Sequence, residues 1–166
     1  ITPADIAFFK RHFLPSTLLH ISYGLSEANG LALYWVDHDT QITGARVPVG
    51  YPPCDTTLLL LDENGQPVAD GEVGEIVVKS RYITAGYWQQ PALNQGRFAS
   101  DPQGSEARLF YTGDLGMIQP DGCLIHLGRK DHQVKIHGVR VELAEVEQAL
   151  WGMKLFKEVV VIAKAT

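Results

Sequence analysis

The sequence contains little sulphur and no long apolar run. Only Cys54 and Cys123 are cysteines among 166 residues. Two cysteines are too few for a disulfide framework or a cysteine-rich zinc site, and a reducing, cytoplasmic location is the simplest expectation. Apolar runs such as Leu58–Leu61, which suits a buried strand, are far short of the roughly 20 residues that a membrane helix needs.

An excess of basic residues is also lacking. The chain has 14 Lys and Arg against 19 Asp and Glu, which gives a formal net charge of −5. This balance argues against nucleic acid or an anionic membrane as the partner, although local basic groups can still bind a phosphate. With 45% hydrophobic residues the composition is that of an ordinary globular chain of one domain or two small ones.

The ends of the sequence suggest a piece of a longer polypeptide. The chain begins at Ile1 without a leader sequence, and it ends at Thr166 just after the stretch EVVVIA, which we interpret as a strand. We therefore expect further sequence on both sides.

The hydrophobic patterns predict a strand-rich, mixed α/β (α+β) fold. A helix is predicted where Thr2 and Asp5 have capping-box spacing around Pro3, with Ile6, Phe9 and Phe13 on one face. Strands follow, with hairpin turns at Asn64–Gly65 and Asp121–Gly122. A second helix is predicted from the spacing of apolar residues, which are Leu143, Val146 and Leu150. We place a domain boundary near Asp131.

The stretch YTGDLG, Tyr111 to Gly116, has the first candidate ligand group. We expect a tight turn at Thr112–Gly113 that leaves Asp114 projecting from its end. A carboxylate in that position can accept two hydrogen bonds from a diol such as a ribose. Considered alone, an aspartate that stabilises its own turn is the stronger interpretation.

The stretch SYGLSEANG, Ser22 to Gly30, is predicted to be a strand end followed by a polar loop. Tyr23 offers a flat face on which a base can stack. Ser26 offers a hydroxyl, and Glu27 offers a hard oxygen ligand for Mg²⁺. Considered alone, an exposed polar loop with a half-buried tyrosine is the stronger interpretation.

The stretch GRKDHQVKIHGVRVE, Gly128 to Glu142, alternates basic and apolar residues. The guanidinium of Arg129 can donate two hydrogen bonds to ribose or phosphate oxygens. The alternative is a twisted hairpin whose charged edges oppose aggregation.

Together these stretches resemble the AMP-forming adenylating enzymes, a family that includes nonribosomal peptide synthetase adenylation domains, acyl-CoA synthetases and luciferases. Four ordered motifs carry the resemblance, from Ser22 to Glu147: YGLSE, GEVGEIVVKSRYITAGYW, YTGDLG and GRKDHQVKIHGVRVELAEVE. The last is long and specific, and its form is closest to the peptide synthetase branch. Leu25 departs from the family's usual proline, Ser26 from its usual threonine and His137 from a common arginine.

The resemblance implies a role for each matching residue. Tyr23 stacks on adenine, Asp114 binds both ribose hydroxyls, and Arg129 contacts ribose or phosphate. In the catalytic set, Ser26 touches the α-phosphate and Glu27 holds Mg²⁺.

Further roles are implied for the remaining positions. Asp131 is the hinge between two domains, and Lys135 and Gly138 lie on the loop that enters the site during thioester formation. The acid-substrate pocket includes three residues: Ser22, Gly30 and Leu31.

The implied architecture has two parts. Residues 1–130 are the β-barrel-like end of the large adenylation domain, and residues 131–166 begin the small mobile C-terminal lid. The family's phosphate loop and its C-terminal catalytic lysine are expected outside this sequence, so we expect the fragment alone to be inactive.

The implied reaction joins a carboxylic acid, with an amino acid favoured, to AMP from ATP with Mg²⁺. The acyl group then passes to the phosphopantetheine thiol of a carrier protein or to coenzyme A. Two alternatives stay open, which are an acyl- or aryl-CoA synthetase of the same superfamily and a non-catalytic β-rich interaction domain. A degenerate copy has no reason to keep all four of Tyr23, Glu27, Asp114 and Arg129.

Overall fold

A computed structural model describes residues 1–130, 133–136, 139–155 and 159–163. The chain divides into two compact units, Ile1–Gly128 and Arg129–Thr166. The fold is strand-rich α+β, as predicted. Its elements in chain order are α1 (Pro3–His12), β1 (Leu19–Leu25), β2 (Asn29–Val36), β3 (Thr56–Leu61), β4 (Val73–Ser80), α2 (Pro91–Asn94), β5 (Phe98–Ser100), β6 (Arg108–Ile118), β7 (Leu124–Arg129), β8 (Gln133–Ile136), β9 (Val139–Glu142) and α3 (Leu143–Gly152).

Helix α1 begins at the capping box that the sequence predicts. The Thr2 hydroxyl accepts a hydrogen bond from the Asp5 amide at 3.3 Å, and the Asp5 carboxylate accepts one from the Thr2 amide at 2.7 Å. Ile6 and Phe9 are buried against the first hairpin. Phe13, predicted on the same face, follows the last helical residue and is largely exposed. The two longest helices described, α1 and α3, have 10 residues each and are too short to cross a membrane.

Strands β1 and β2 form an antiparallel hairpin that includes most of the predicted polar loop. Leu25 pairs with Asn29 and Gly24 pairs with Gly30, so the connection contracts to residues 26–28. Asn29 adopts φ 56°, a left-handed conformation that asparagine tolerates better than most residues. The turn therefore presents Ser26 and Glu27 at the tip of a two-stranded sheet.

The second sheet has five antiparallel strands in the order β3-β4-β6-β5, with β7 also paired to β6. The predicted turn at Thr112–Gly113 between two short strands is wrong. β6 instead runs continuously through this stretch, and the β4–β6 register shifts between Glu75 and Val77. Gly113 has φ 73°, so the strand bulges here instead of reversing.

An extended segment at Val49–Tyr51, hereafter the seam, joins the hairpin to the larger sheet. Leu33 of β2 exchanges two hydrogen bonds with Tyr51, and Leu124 of β7 bonds both to Val49 and to Gly50, all at 2.8–3.0 Å. Gly50 has φ 96°, and a Cβ there would lie 1.9 Å from the Leu33 carbonyl oxygen. Only glycine fits this crossing.

The main core fills the space between the hairpin and the sheet. It includes residues from β2, β3, β4, β6 and β7, so the packing of the two sheets fixes the position of the hairpin tip. Its most deeply buried members, each at most 1% exposed, are Leu31, Ala32, Ile76, Val78, Phe110 and Leu124.

The second unit contains the antiparallel pair β8–β9 followed by α3, in which Leu143 is buried. The strand predicted at EVVVIA is wrong for the residues described, since 159–163 adopt no strand. The Val161 amide donates to the Glu147 carboxylate at 2.9 Å.

Candidate functional site

Two predicted ligand residues, Tyr23 and Asp114, lie in direct contact. Tyr23 lies near the end of β1 and Asp114 in the middle of β6, and the tyrosine hydroxyl donates to Asp114 Oδ2 at 2.5 Å. Asp114 is almost fully buried, whereas Tyr23 is partly exposed. Chain folding therefore places an aromatic ring and a buried acceptor side by side although they are 91 positions apart.

The backbone that carries Asp114 is fixed by the bulge in β6. The buried Thr112 hydroxyl donates to the Ile76 carbonyl at 2.7 Å and accepts from the Asp114 amide at 2.9 Å. The Gly113 amide donates to Glu75 Oε1 at 3.1 Å. Because both amides of the bulge have partners on the protein, the carboxylate is held in one direction.

His126 is a third member of this group, and sequence reasoning missed it. It lies on β7, its Nε2 is 3.6 Å from Asp114 Oδ2, and its ring centroid is 5.2 Å from that of Tyr23 at an interplanar angle of 45°. The available signal was the Asp121–Gly122 turn, which folds β7 back onto the strand that carries Asp114.

A cleft of about 310 Å³ opens beside these side chains. Tyr23 and His126 form part of its wall, and Arg46 brings a positive charge to it. The cleft is concave, mostly apolar and equipped with a few polar groups, as small-molecule sites generally are. Its remaining lining residues are Ile1, Ile21, Ser22, Val47 and Val49.

Glu27 forms a separate buried acidic group at the hairpin tip. The Tyr87 hydroxyl donates to Glu27 Oε1 at 2.7 Å, and the Thr84 amide donates to the Glu27 carbonyl at 2.9 Å. Tyr87 belongs to the motif GEVGEIVVKSRYITAGYW, but sequence reasoning gave it no role. Ser26, beside Glu27 in the turn, is exposed.

The role of Glu27 as a ligand of a magnesium ion shared with phosphates stays a prediction. Among the residues described, no group of three or more His, Cys, Asp or Glu side chains could hold a metal ion. Mg²⁺ is commonly bound through one or two carboxylates together with substrate phosphates, and one ordered carboxylate suits that mode.

The predicted acid-pocket residues lie in different environments. Ser22 lines the cleft, and a side chain added at Gly30 would enter open space. Leu31 is fully buried in the main core. Their shared role in binding the acid stays a prediction.

The predicted residues of the second unit are described less completely. Arg129 ends β7 and is partly buried, and Lys135 lies in β8. The hinge residue Asp131 and the loop residue Gly138 lie outside the described residues, as does His137.

Cys123 and Tyr51 both have raised pKa values. Burial raises the pKa of the Cys123 thiol. Burial, followed by the hydrogen bond that Tyr51 donates to Asp121 at 3.1 Å, raises the pKa of Tyr51 to about 12. Both groups are therefore uncharged at neutral pH.

The structure is similar to solved adenylation-domain proteins. One is PA1221, described as an NRPS protein containing adenylation and PCP domains, with a TM-score of 0.75, 32% identity, and coverage of 86% of this chain and 29% of that one. The fold thus defines the class as the C-terminal part of an adenylation domain, and the predicted resemblance is confirmed.

The chain belongs to the AMP-binding enzyme family, whose sequence model matches residues 1–88. It is 40% identical over 146 residues to malpinin synthetase of Mortierella alpina, covering 87% of this chain and 2% of that protein. It is 38% identical over 158 residues to gramicidin S synthase 2 of Brevibacillus brevis, covering 95% and 4%. The chain therefore spans only a few per cent of the length of these curated relatives.

Proposed function

We propose that this chain is part of an adenylate-forming ligase that activates a carboxylic acid, with an amino acid favoured, by means of Mg-ATP. The acyl group then passes to the phosphopantetheine thiol of a carrier protein. The similarity to two peptide synthetases supports the choice of acid and acceptor. In this proposal residues 1–130 belong to the large domain and residues 131–166 begin the mobile lid, with Asp131 as the hinge between them.

The contact between Tyr23 and Asp114 carries the proposal. A buried carboxylate accepts strong hydrogen bonds from two adjacent hydroxyls, which is the arrangement that a ribose offers. The tyrosine ring beside it, at the wall of a cleft of about 310 Å³, offers a flat surface to a base. The pair therefore suits a nucleoside, with the sugar at Asp114 and the base towards Tyr23.

The phosphates are proposed to lie towards the hairpin tip. Ser26 offers an exposed hydroxyl to the α-phosphate, and Glu27 offers a carboxylate oxygen to the metal. Mg²⁺ supplies neutralisation of charge on the phosphates when it is bound. The bond from Tyr87 at 2.7 Å holds Glu27 in orientation, the usual task of a group bonded to a metal ligand. Arg129 adds a cation for ribose or phosphate.

Two displacements make up the proposed reaction. An oxygen of the acid's carboxylate forms a bond to the α-phosphorus, the bond from that phosphorus to the bridging oxygen breaks, and pyrophosphate leaves. The carrier thiol, after losing its proton, then bonds to the acyl carbon, and AMP leaves with the electron pair. Lys135 and Gly138 are proposed to belong to the loop that serves this second step.

The first experiment measures exchange of radiolabelled pyrophosphate into ATP by the full-length protein with panels of amino, aryl and fatty acids. Exchange with one class identifies the acid. Transfer to a carrier protein, compared with transfer to coenzyme A, then identifies the acceptor. No exchange with any acid contradicts the proposal.

The second experiment replaces Asp114 with Ala. Loss of the hydrogen bonds to the sugar should weaken AMP binding by at least about 10- to 100-fold, since even one hydrogen bond to a charged group contributes roughly 1.5–3 kcal/mol. Isothermal titration with the full-length protein measures this, and circular dichroism checks folding. Asp70→Ala, on an exposed turn, is the matched control. Unchanged AMP affinity in Asp114→Ala would rule out the ribose role.

A further inference from the structure

We propose that His126 is a positioning residue of the nucleotide site, and that it holds the Asp114 carboxylate in place for the two sugar hydroxyls. This inference rests on the proposed function, because it needs a nucleotide whose ribose meets Asp114. It assigns a role to a residue that none of the sequence motifs singled out.

Two groups converge on the same oxygen of Asp114. Tyr23 donates its hydroxyl hydrogen to Oδ2 at 2.5 Å, and His126 Nε2 lies 3.6 Å from that atom. The Asp114 side chain is 4% exposed and the His126 side chain 30% exposed. The histidine therefore extends from the buried carboxylate to the wall of the cleft, where it is accessible to solvent protons.

The distance determines the kind of interaction. At 3.6 Å the pair is too long for a good hydrogen bond, but it is within ion-pair distance when the imidazole is protonated. Because the carboxylate is buried, this attraction is screened less than it would be at the surface. The contacts of His126 and Tyr23 with the same oxygen therefore restrict rotation of the Asp114 carboxylate.

Charged and aromatic groups of other elements lie around His126. Asp114 on β6 is 3.6 Å from its Nε2, and the Tyr23 ring on β1 packs at 5.2 Å. Arg46, which precedes the seam, lines the same cleft. Arg46 is exposed, so solvent and salt weaken its effect on the pair of His126 and Asp114.

The role makes a specific claim about ligand discrimination. AMP carries the ribose diol and 2′,3′-dideoxy-AMP lacks it, but both carry the same base and phosphate. The ratio of their dissociation constants thus isolates the contribution of the diol contact. A residue that positions Asp114 should change this ratio, whereas one that only packs in the cleft should weaken both ligands equally.

The experiment compares His126→Phe with His126→Gln in the full-length protein by isothermal titration. Phe keeps a ring but has no donor, and Gln keeps donors without a charge. In His126→Phe the ratio of the two dissociation constants should fall by about 3- to 10-fold, the size of one hydrogen-bond-scale interaction. His126→Gln should retain part of the wild-type discrimination. His12→Gln, on α1 and exposed, should leave the ratio unchanged.

The outcomes separate this inference from the proposed function. A discrimination ratio in His126→Phe equal to that of the wild-type protein overturns the positioning role and leaves nucleotide binding intact. Failure of the folded wild-type protein to bind AMP at all overturns the proposed function, and this inference with it.

Discussion

The two buried carboxylates of the candidate site, Asp114 and Glu27, are held in different ways. Asp114 lies within a long strand and contacts side chains from two other strands, Tyr23 and His126, both of which line a cleft. Glu27 lies in a tight hairpin turn, where the Tyr87 hydroxyl and the Thr84 amide bond to it.

The difference lies in what each carboxylate depends on. The Asp114 group exists only while the hairpin and the larger sheet stay in register, because its members come from both sheets. The Glu27 group depends on a connection between the hairpin tip and the segment that follows β4. A change in the Asp114 group should therefore affect sugar recognition, and a change in the Glu27 group should affect metal-dependent binding.

The largest effect is expected from Gly50→Ala, which disrupts the seam between the hairpin and the larger sheet, the two sheets that carry the Asp114 group. The added Cβ would lie 1.9 Å from the Leu33 carbonyl oxygen, at φ 96°. The backbone must move, and we expect a loss of at least ~3 kcal/mol in unfolding free energy from overlap and strain together. Urea unfolding of the protein measures this, and AMP affinity should fall with it.

The control is Gly65→Ala. Gly65 also has a positive φ, 74°, but nothing lies within 4 Å of an added Cβ. Gly65→Ala should lower the unfolding free energy by only about 1 kcal/mol, because of backbone strain. Equal losses in the two variants would mean that the crossing at the seam is unimportant.

An intermediate effect is expected from Tyr87→Phe, which removes the hydroxyl that bonds to Glu27 at 2.7 Å. Loss of one hydrogen bond to a carboxylate should weaken Mg-ATP binding by roughly 5- to 10-fold. AMP binding without metal should be unchanged, because the Asp114 group is untouched. Titrations with and without Mg²⁺ measure both.

The matched variant is Tyr82→Phe, at a tyrosine that is exposed in the same segment. It should change neither affinity. If Tyr87→Phe weakened AMP and Mg-ATP equally, the two carboxylate groups would not be independent.

The smallest effect is expected away from both groups, at Asp101. Its bond with Lys79 at 2.8 Å, then its bond with Ser105, lower its pKa from 3.8 to about 2. The folded state thus binds this proton less readily than the unfolded state. The resulting stability is present above about pH 4 and is lost as the pH falls towards 2.

Asp101→Asn should flatten that part of the pH dependence of the urea midpoint and leave nucleotide binding at neutral pH unchanged. Asp70→Asn, on an exposed turn, should retain the wild-type slope. An unaltered slope in Asp101→Asn would show that the ion pair with Lys79 does not form in solution.

Local features of the fold were predictable from the sequence. The capping box at Thr2 and Asp5 starts α1, and the Asp121–Gly122 turn connects β6 to β7. Each depends on residues a few positions apart, whose preferences act before any packing. The family motifs also identified Tyr23 and Asp114 as ligand candidates, although nothing in the sequence measured their separation.

The errors occurred where long-range contacts override local preference. Thr112–Gly113 was predicted as a turn, but bonds to Ile76 and Glu75 on the neighbouring strand keep it within β6. His126 and Tyr87 had no local signature of function, because their roles depend on carboxylates that lie far away in the chain.

The sequence by itself determined which chemical groups are present, the local caps and turns, and the family to which the motifs belong. The tertiary structure decided which of those groups meet. Tyr23, Asp114 and His126 come from three strands, and their contact depends on sheet register and on a core that fills the space between two sheets. Such pairing is settled by the burial of many side chains at once, so a short stretch of sequence does not contain it.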